Sequence, residues 1–163
     1  MKKFITFVLA THNEGRNIIS IINQILKINE YYEIEIIVVD DNSEDGTLKL
    51  VRELAKEKRE IKFMNRIDRY GLSSAIKEGC LNSTGEIIAI MDSDGQHEVK
   101  VLYQAIETLI DSDFDLVIGS RFMKNSSIKG LSRKRKTGSS SANNLARISL
   151  STKYKNVTDY LSG

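Results

Sequence analysis

The segment Ile34-Glu35-Ile36-Ile37-Val38-Val39-Asp40-Asp41-Asn42-Ser43-Glu44-Asp45-Gly46-Thr47 passes from an apolar, β-branched run straight into an acidic loop. Hydrophobicity that continues instead of alternating marks a strand covered on both faces, as in a parallel sheet. The same transition occurs upstream, where residues 4–10 lead into Thr11-His12-Asn13-Glu14-Gly15-Arg16-Asn17. It recurs downstream, where residues 87–92 lead into Ser93-Asp94-Gly95-Gln96-His97. Residues 61–65 and 116–119 are two further apolar runs, so five strands are predicted. Between them Ile18, Ile21, Ile22, Ile25 and Leu26 fall on one helical stripe. Leu48, Val51, Leu54 and Ala55 make a second, Val101, Leu102, Ala105, Ile106 and Leu109 a third, and residues 73–81 predict a shorter helix. This strand–helix rhythm predicts an α/β fold, a largely parallel sheet flanked by helices, with ligands beyond the carboxyl ends of the strands.

At 163 residues the chain is read as a single domain. A composition of 40% hydrophobic and 28% charged residues with net charge +2 excludes a disordered chain and a polycation that coats nucleic acid. No nucleic-acid partner is expected. One cysteine, Cys80, cannot close an internal disulfide, and the opening residues lack the parts of a signal peptide, so a cytoplasmic setting is expected. Proline is absent, where about 5% is usual. The chain ends at Ser162-Gly163 with no closing helix or charged tail, and a truncated C-terminus is expected. Residues 124–141 collect Lys124, Lys129, Arg133, Lys134, Arg135 and Lys136 among serines and read as a basic flexible loop, with a final helix expected at 142–150.

The chemistry-bearing residues sit at the predicted strand ends. Asp92 and Asp94, two apart at the end of a strand, project the same way and suit a hard divalent cation, Mg²⁺ or Mn²⁺, with Gln96 adding an amide oxygen. An isolated Asp-x-Asp also occurs as a solvated acidic turn; its place at the carboxyl end of a buried strand favours the functional alternative. Asn13 could equally cap a helix, and residues 41–46 could be simple Asx turns. Yet Asp41 repeats the logic of Asp92, an acid at a sheet edge able to accept hydrogen bonds from a base N–H or ribose hydroxyls. His97, in a helix-opening turn, receives no task.

Thr-His-Asn-Glu after the first strand, Val-Val-Asp-Asp-Asn-Ser-Glu-Asp-Gly-Thr after the second, Met-Asp-Ser-Asp-Gly-Gln-His and Val-Ile-Gly-Ser-Arg together resemble the family 2 glycosyltransferases of GT-A fold, a Rossmann-like nucleotide-diphospho-sugar transferase architecture. Within that family the sequence is most similar to the branch of dolichol-phosphate mannosyltransferases and undecaprenyl-phosphate glycosyltransferases. The resemblance implies that Ala10, His12, Glu14, Val39, Asp41 and Ser93 surround the base and ribose of a nucleotide-sugar donor. It also implies that Asp92, Asp94 and Gln96 hold the metal and diphosphate, and that Arg121 contacts the diphosphate. Arg69 and Lys77, flanking Gly71, are expected to add charge near the nucleotide. The resemblance further implies Asp94 and Asp159 as the catalytic positions, Asp159 by its place in Val157-Thr158-Asp159-Tyr160-Leu161-Ser162-Gly163, which looks like the family's Asp-Pro-Thr-Ser-Gly segment with two substitutions. The chain departs from the family where Ala10, Glu44, Val99 (or Glu98) and Tyr160 stand at usual proline positions and where His12 replaces a tyrosine.

The implied reaction is inverting transfer of a sugar to a polyprenyl phosphate, assisted by the metal and Arg121 at the departing nucleoside diphosphate. A lipid phosphate, with a second pKa near ~6, is already an anionic nucleophile at neutral pH, so Asp159 would mainly position it. The basic loop would draw the protein to an anionic membrane surface at the inner face. Transfer to a saccharide or cell-wall hydroxyl, and a non-catalytic nucleotide-sugar-binding domain, are the alternatives. A dinucleotide oxidoreductase fits poorly, because the first loop lacks Gly-x-Gly-x-x-Gly.

Overall fold

The computed structural model describes residues 2–95 and 98–119. In chain order these form β1 (Phe4–Thr11), α1 (Ile18–Leu26), a short 3₁₀ turn (Lys27–Glu30), β2 (Glu33–Asp40) and α2 (Thr47–Glu57). They continue through β3 (Ile61–Asn65), α3 (Leu72–Leu81), β4 (Ile87–Asp92) and α4 (Val99–Ile110). These elements all lie within one compact unit, Met1–Val117.

The four strands make one sheet in the order β3-β2-β1-β4, and every pair is parallel. β1 and β2 occupy the middle, which is why seven of the eight residues in each are buried. The pleat then divides their side chains between two cores. Ile5, Phe7 and Leu9 of β1, with Ile34, Ile36 and Val38 of β2, join Ile18, Ile21, Ile22 and Ile25 of α1, Val51 of α2 and Val99 and Ile106 of α4. Val8, Ala10, Ile37 and Val39 turn to the opposite face, where α3 supplies Ala75. One face therefore carries three helices and the other, among the described residues, carries α3.

α3 lies close against the sheet because Gly79 permits it. A Cβ at that position would stand 2.4 Å from Val8 Cγ1 and 3.1 Å from Val39 Cγ2. Cys80, beside it, packs at the edge of the same cluster, and burial pushes its thiol pKa up.

At the amino ends of the strands the α3 face holds a buried carboxylate. Glu35 is 3% exposed, accepts a hydrogen bond from Thr6 Oγ1 (2.7 Å) and two from Thr84 (N and Oγ1, both 3.0 Å), and is paired with Lys62. Thr6 Oγ1 in turn accepts from Gly85 N at 2.9 Å. These bonds tie the turn before β4 to the three other strands. Burial alone would raise the carboxyl pKa; the bonds from Lys62, Thr6 and Thr84 outweigh it and hold the group below the ordinary carboxylate range.

Two expectations are corrected. The α4 stripe is rotated: Val99 and Ile106 are buried and Leu102, Tyr103 and Ile110 pack against the core, whereas Val101 is 49% exposed. The predicted stripe began two residues late and took in Val101, while the pairing of Tyr103 Oη with the Gln24 carbonyl (2.6 Å) sets the face toward α1. Residues 116–119 form no strand. The run makes no ladder hydrogen bonds among the described residues, and apolar β-branched composition alone does not make a strand; Leu116 stays 72% exposed. No helix among the described residues is long and apolar enough to cross a membrane.

Candidate functional site

Parallel register brings all the strand ends to one edge: Thr11 is level with Asp40, Ala10 with Asp92, and Asp40 with Asn65. The chain steps outward from β1 to β2 to β3 and then returns to the far side of β1 for β4. The loops after β1 and β4 therefore stand side by side and lead to helices on one face of the sheet, at the carboxyl edge where open α/β sheets bind ligands.

The loops after β1 and β2 are sewn together. Asn13, in a left-handed conformation (φ 58°), donates its N–H to Ser43 Oγ (2.8 Å), and its Oδ1 accepts from the N–H of Glu44 (2.9 Å) and of Asp45 (3.4 Å). Glu14 N donates to Thr47 Oγ1 (2.9 Å) and Gly15 N to Asp45 Oδ2 (2.8 Å). Hydrogen bonds from the Thr47 hydroxyl and the Gly15 amide lower the pKa of Asp45. Asn13 is therefore a clasp between loops and not a helix cap. Asp40, fully buried, accepts from Ser43 N (2.8 Å), Ser43 Oγ (2.6 Å) and Thr11 Oγ1 (3.3 Å), which closes the turn that presents Asp41. His12 is exposed, and its Nδ1 lies 2.9 Å from the Asp41 carbonyl. That carbonyl only accepts, so Nδ1 carries the proton, and Nε2 accepts from Asn13 Nδ2 at 3.1 Å.

Asp41 is 7% exposed and each carboxylate oxygen already has a partner. Oδ1 accepts from Arg66 Nη1 (2.8 Å) and Oδ2 from the N–H of Gly71 (2.8 Å). Arg66, one residue past β3, is 1% exposed and also donates to the Gly71 carbonyl (3.2 Å) and to Ser74 Oγ (2.5 Å). Arg69 pairs with Glu78 at 3.1 Å, and Lys77 is exposed on α3.

On the other side of β1, Ser93 is 2% exposed and donates to the Ala10 carbonyl at 2.8 Å, fixing the loop that carries Asp92 and Asp94. Asp92 and Asp94 are both partly exposed. Asn17 bridges the two loops: its Nδ2 donates to Glu14 Oε2 (2.9 Å) and to the Asp94 carbonyl (3.2 Å). Although Asn17 is the residue ahead of α1, it makes no side-chain cap bond. Gly95, at φ 76°, leaves room for that amide, because a Cβ there would sit 3.3 Å from Asn17 Cγ. Among the described residues no group of three His, Cys, Asp or Glu side chains gathers around a potential metal position. What this part of the chain offers a cation is the pair of carboxylates at the end of β4.

The edge thus brings together His12, Glu14, Asp41, Asp92, Ser93 and Asp94, while Ala10 and Val39 lie beneath it with their side chains in the α3-face core. Gln96, His97, Arg121, Asp159, the basic segment 124–141 and the helix expected at 142–150 lie outside the described residues. Sequence reasoning missed Arg66 and Asn17. The signal for Arg66 was a charged residue directly after a strand at this edge; Asn17, ahead of an apolar stripe, looked like an ordinary cap.

Comparison with known proteins identifies the family. The model of the glycosyl transferase family 2 matches residues 6–161. A dolichol-phosphate mannosyltransferase of Pyrococcus furiosus is 33% identical over 98% of this chain and 44% of its own length. A dolichyl-phosphate β-glucosyltransferase of Trichomonas vaginalis is 31% identical over 72% of this chain and 38% of its own. The chain spans less than half the length of these relatives. Among solved structures, a mannosyltransferase of Pyrobaculum calidifontis in complex with GDP-mannose and Mn²⁺ superposes with TM-score 0.53 at 28% identity, covering 58% of this chain and 28% of that one. With its parallel sheet, its acid-bearing strand ends and a family match that runs nearly end to end, the chain belongs to the family 2 glycosyltransferases of GT-A fold.

Proposed function

We propose that this chain is the donor-binding part of an inverting glycosyltransferase that moves a sugar from a UDP- or GDP-sugar to a polyprenyl phosphate. The observation that carries the reading is the convergence of the Glu14, Asp41 and Asp92–Asp94 loops at the carboxyl edge of the sheet. The dolichyl phosphate in the names of two relatives supports the acceptor class.

In this reading Asp41 accepts hydrogen bonds from the base or ribose, His12 supplies a ring face beside it, and Ala10 and Val39 form the apolar floor. Glu14 and Ser93 frame the ribose. The two carboxylates, hard oxygen donors with no thiolate or imidazole beside them among the described residues, fit Mg²⁺ or Mn²⁺. When bound, the cation neutralises the diphosphate and favours its departure. Asn17 holds the Asp94 loop in register with Glu14, so sugar-side and base-side contacts keep a fixed separation. Gln96 joins the metal site, Arg121 contacts the diphosphate and Asp159 positions the acceptor phosphate. Lys124, Lys129 and residues 133–136 draw the protein to the anionic cytoplasmic face of a membrane.

Calorimetric titration of GDP-mannose and UDP-glucose with and without Mn²⁺ tests the donor reading. Saturable binding of one nucleotide sugar that weakens on chelation is expected. Failure of both to bind in the presence of Mn²⁺ rejects it.

A further inference from the structure

We infer that Arg66 is a positioning residue for nucleoside recognition, acting through Asp41; the inference rests on the proposed donor site. A carboxylate has about four acceptor directions. In Asp41 one on each oxygen is taken, by Arg66 Nη1 and by the Gly71 amide, which fixes the plane of the group and leaves one defined direction per oxygen for a ligand. Both donors are themselves anchored. The Arg66 backbone N–H extends the β2–β3 ladder by bonding the Asp40 carbonyl at 2.8 Å, and Gly71, at φ 120°, precedes the first turn of α3.

The one unbonded nitrogen of the guanidinium tells which partner the arginine serves. Arg66 Nε lies 3.4 Å from Glu78 Oε1, within ion-pair range, yet is buried with no hydrogen-bond partner. A guanidinium whose task was to bond Glu78 would aim Nε at it. Instead Nη1 and Nη2 are satisfied by Asp41, Gly71 and Ser74 while Nε is left unbonded. The rigid fork thus links the end of β2 to the start of α3, and a lysine, a single flexible point charge, cannot reproduce it. Buried positive charge at this point also offsets the charge that Asp41 brings into a nearly closed position.

The test compares wild type and Arg66→Lys by titration with GDP, UDP and inorganic pyrophosphate, each with Mn²⁺, and repeats the comparison in an Asp41→Asn background. Arg66→Lys is expected to weaken the preferred nucleoside diphosphate by roughly 10- to 100-fold, the weight of one or two hydrogen bonds to a charged group. It should leave pyrophosphate affinity unchanged and have no further effect once Asp41 is Asn. Wild-type affinity for the nucleotide in a folded Arg66→Lys protein overturns the inference. So does an equal loss for pyrophosphate, which is what a merely structural role would give. Should Arg66→Lys fail to fold, Ser74→Ala, which removes one bond to Nη2, is read by the same two outcomes with a smaller loss. If wild type binds pyrophosphate and neither nucleotide, the donor reading itself falls, and this inference with it.

Discussion

Replacement of Gly79 by alanine tests how tightly α3 is seated. The new methyl would lie 2.4 Å from Val8 Cγ1, where carbon atoms normally stand about 3.5–4.0 Å apart, so the helix must lift or Val8 must move by about 1 Å. Val8 is fully buried and β-branched, and Val39, 3.1 Å from the methyl, blocks retreat in the other direction. Overpacking of this kind costs up to about 3 kcal/mol. Alanine's better helix propensity returns about 1 kcal/mol, leaving a net loss near 2 kcal/mol. With a urea m-value of about 1–3 kcal/mol/M, the unfolding midpoint should fall by roughly 1 M. Removing the obstructing methyl with Val8→Ala should make the double variant more stable than the two single losses predict, by about 1 kcal/mol. An unfolding midpoint for Gly79→Ala at or above wild type would refute the close-seating argument.

Three further outcomes are expected. Because Glu35 titrates below its ordinary 4.5 in the folded protein, its contribution is complete above that pH and is lost as pH falls through the lower folded value. Thermal melts on acidification should therefore drop more steeply for wild type than for Glu35→Gln; parallel curves would contradict the buried network. Asp94→Asn should cut Mn²⁺-dependent nucleotide-sugar affinity by on the order of 10-fold or more, and intact affinity would remove it from the cation site. Asn17→Ala, which unties the Asp94 loop from Glu14, should weaken the same binding by a few-fold, about the worth of one hydrogen bond, and a titration indistinguishable from wild type would show the bridge to be idle.

The sheet was legible because its central strands are apolar without interruption, and β3 and β4 begin and end where the residue pattern puts them. Helix phase was harder to read at α4, where Val99, Val101 and Leu102 all offer plausible starts and only packing against α1 decides. The fifth run failed for a related reason: β propensity does not make a strand, pairing does. At the site, acids at strand ends could be found because their position follows from the strand pattern. Arg66 could not. An arginine reads as a surface residue until its partners at 41, 71 and 74 are known to meet, and the Asp41 contact spans 25 positions of sequence.

The stitching of the first two loops bears on attempts to change the nucleotide this scaffold accepts. Hydrogen bonds run between the two loops through Asn13, Ser43, Asp45 and Thr47. A transplant of residues 12–15 alone would orphan the recipient's Ser43 and Asp45, so a working graft must carry residues 12–15 and 43–47 as one cassette.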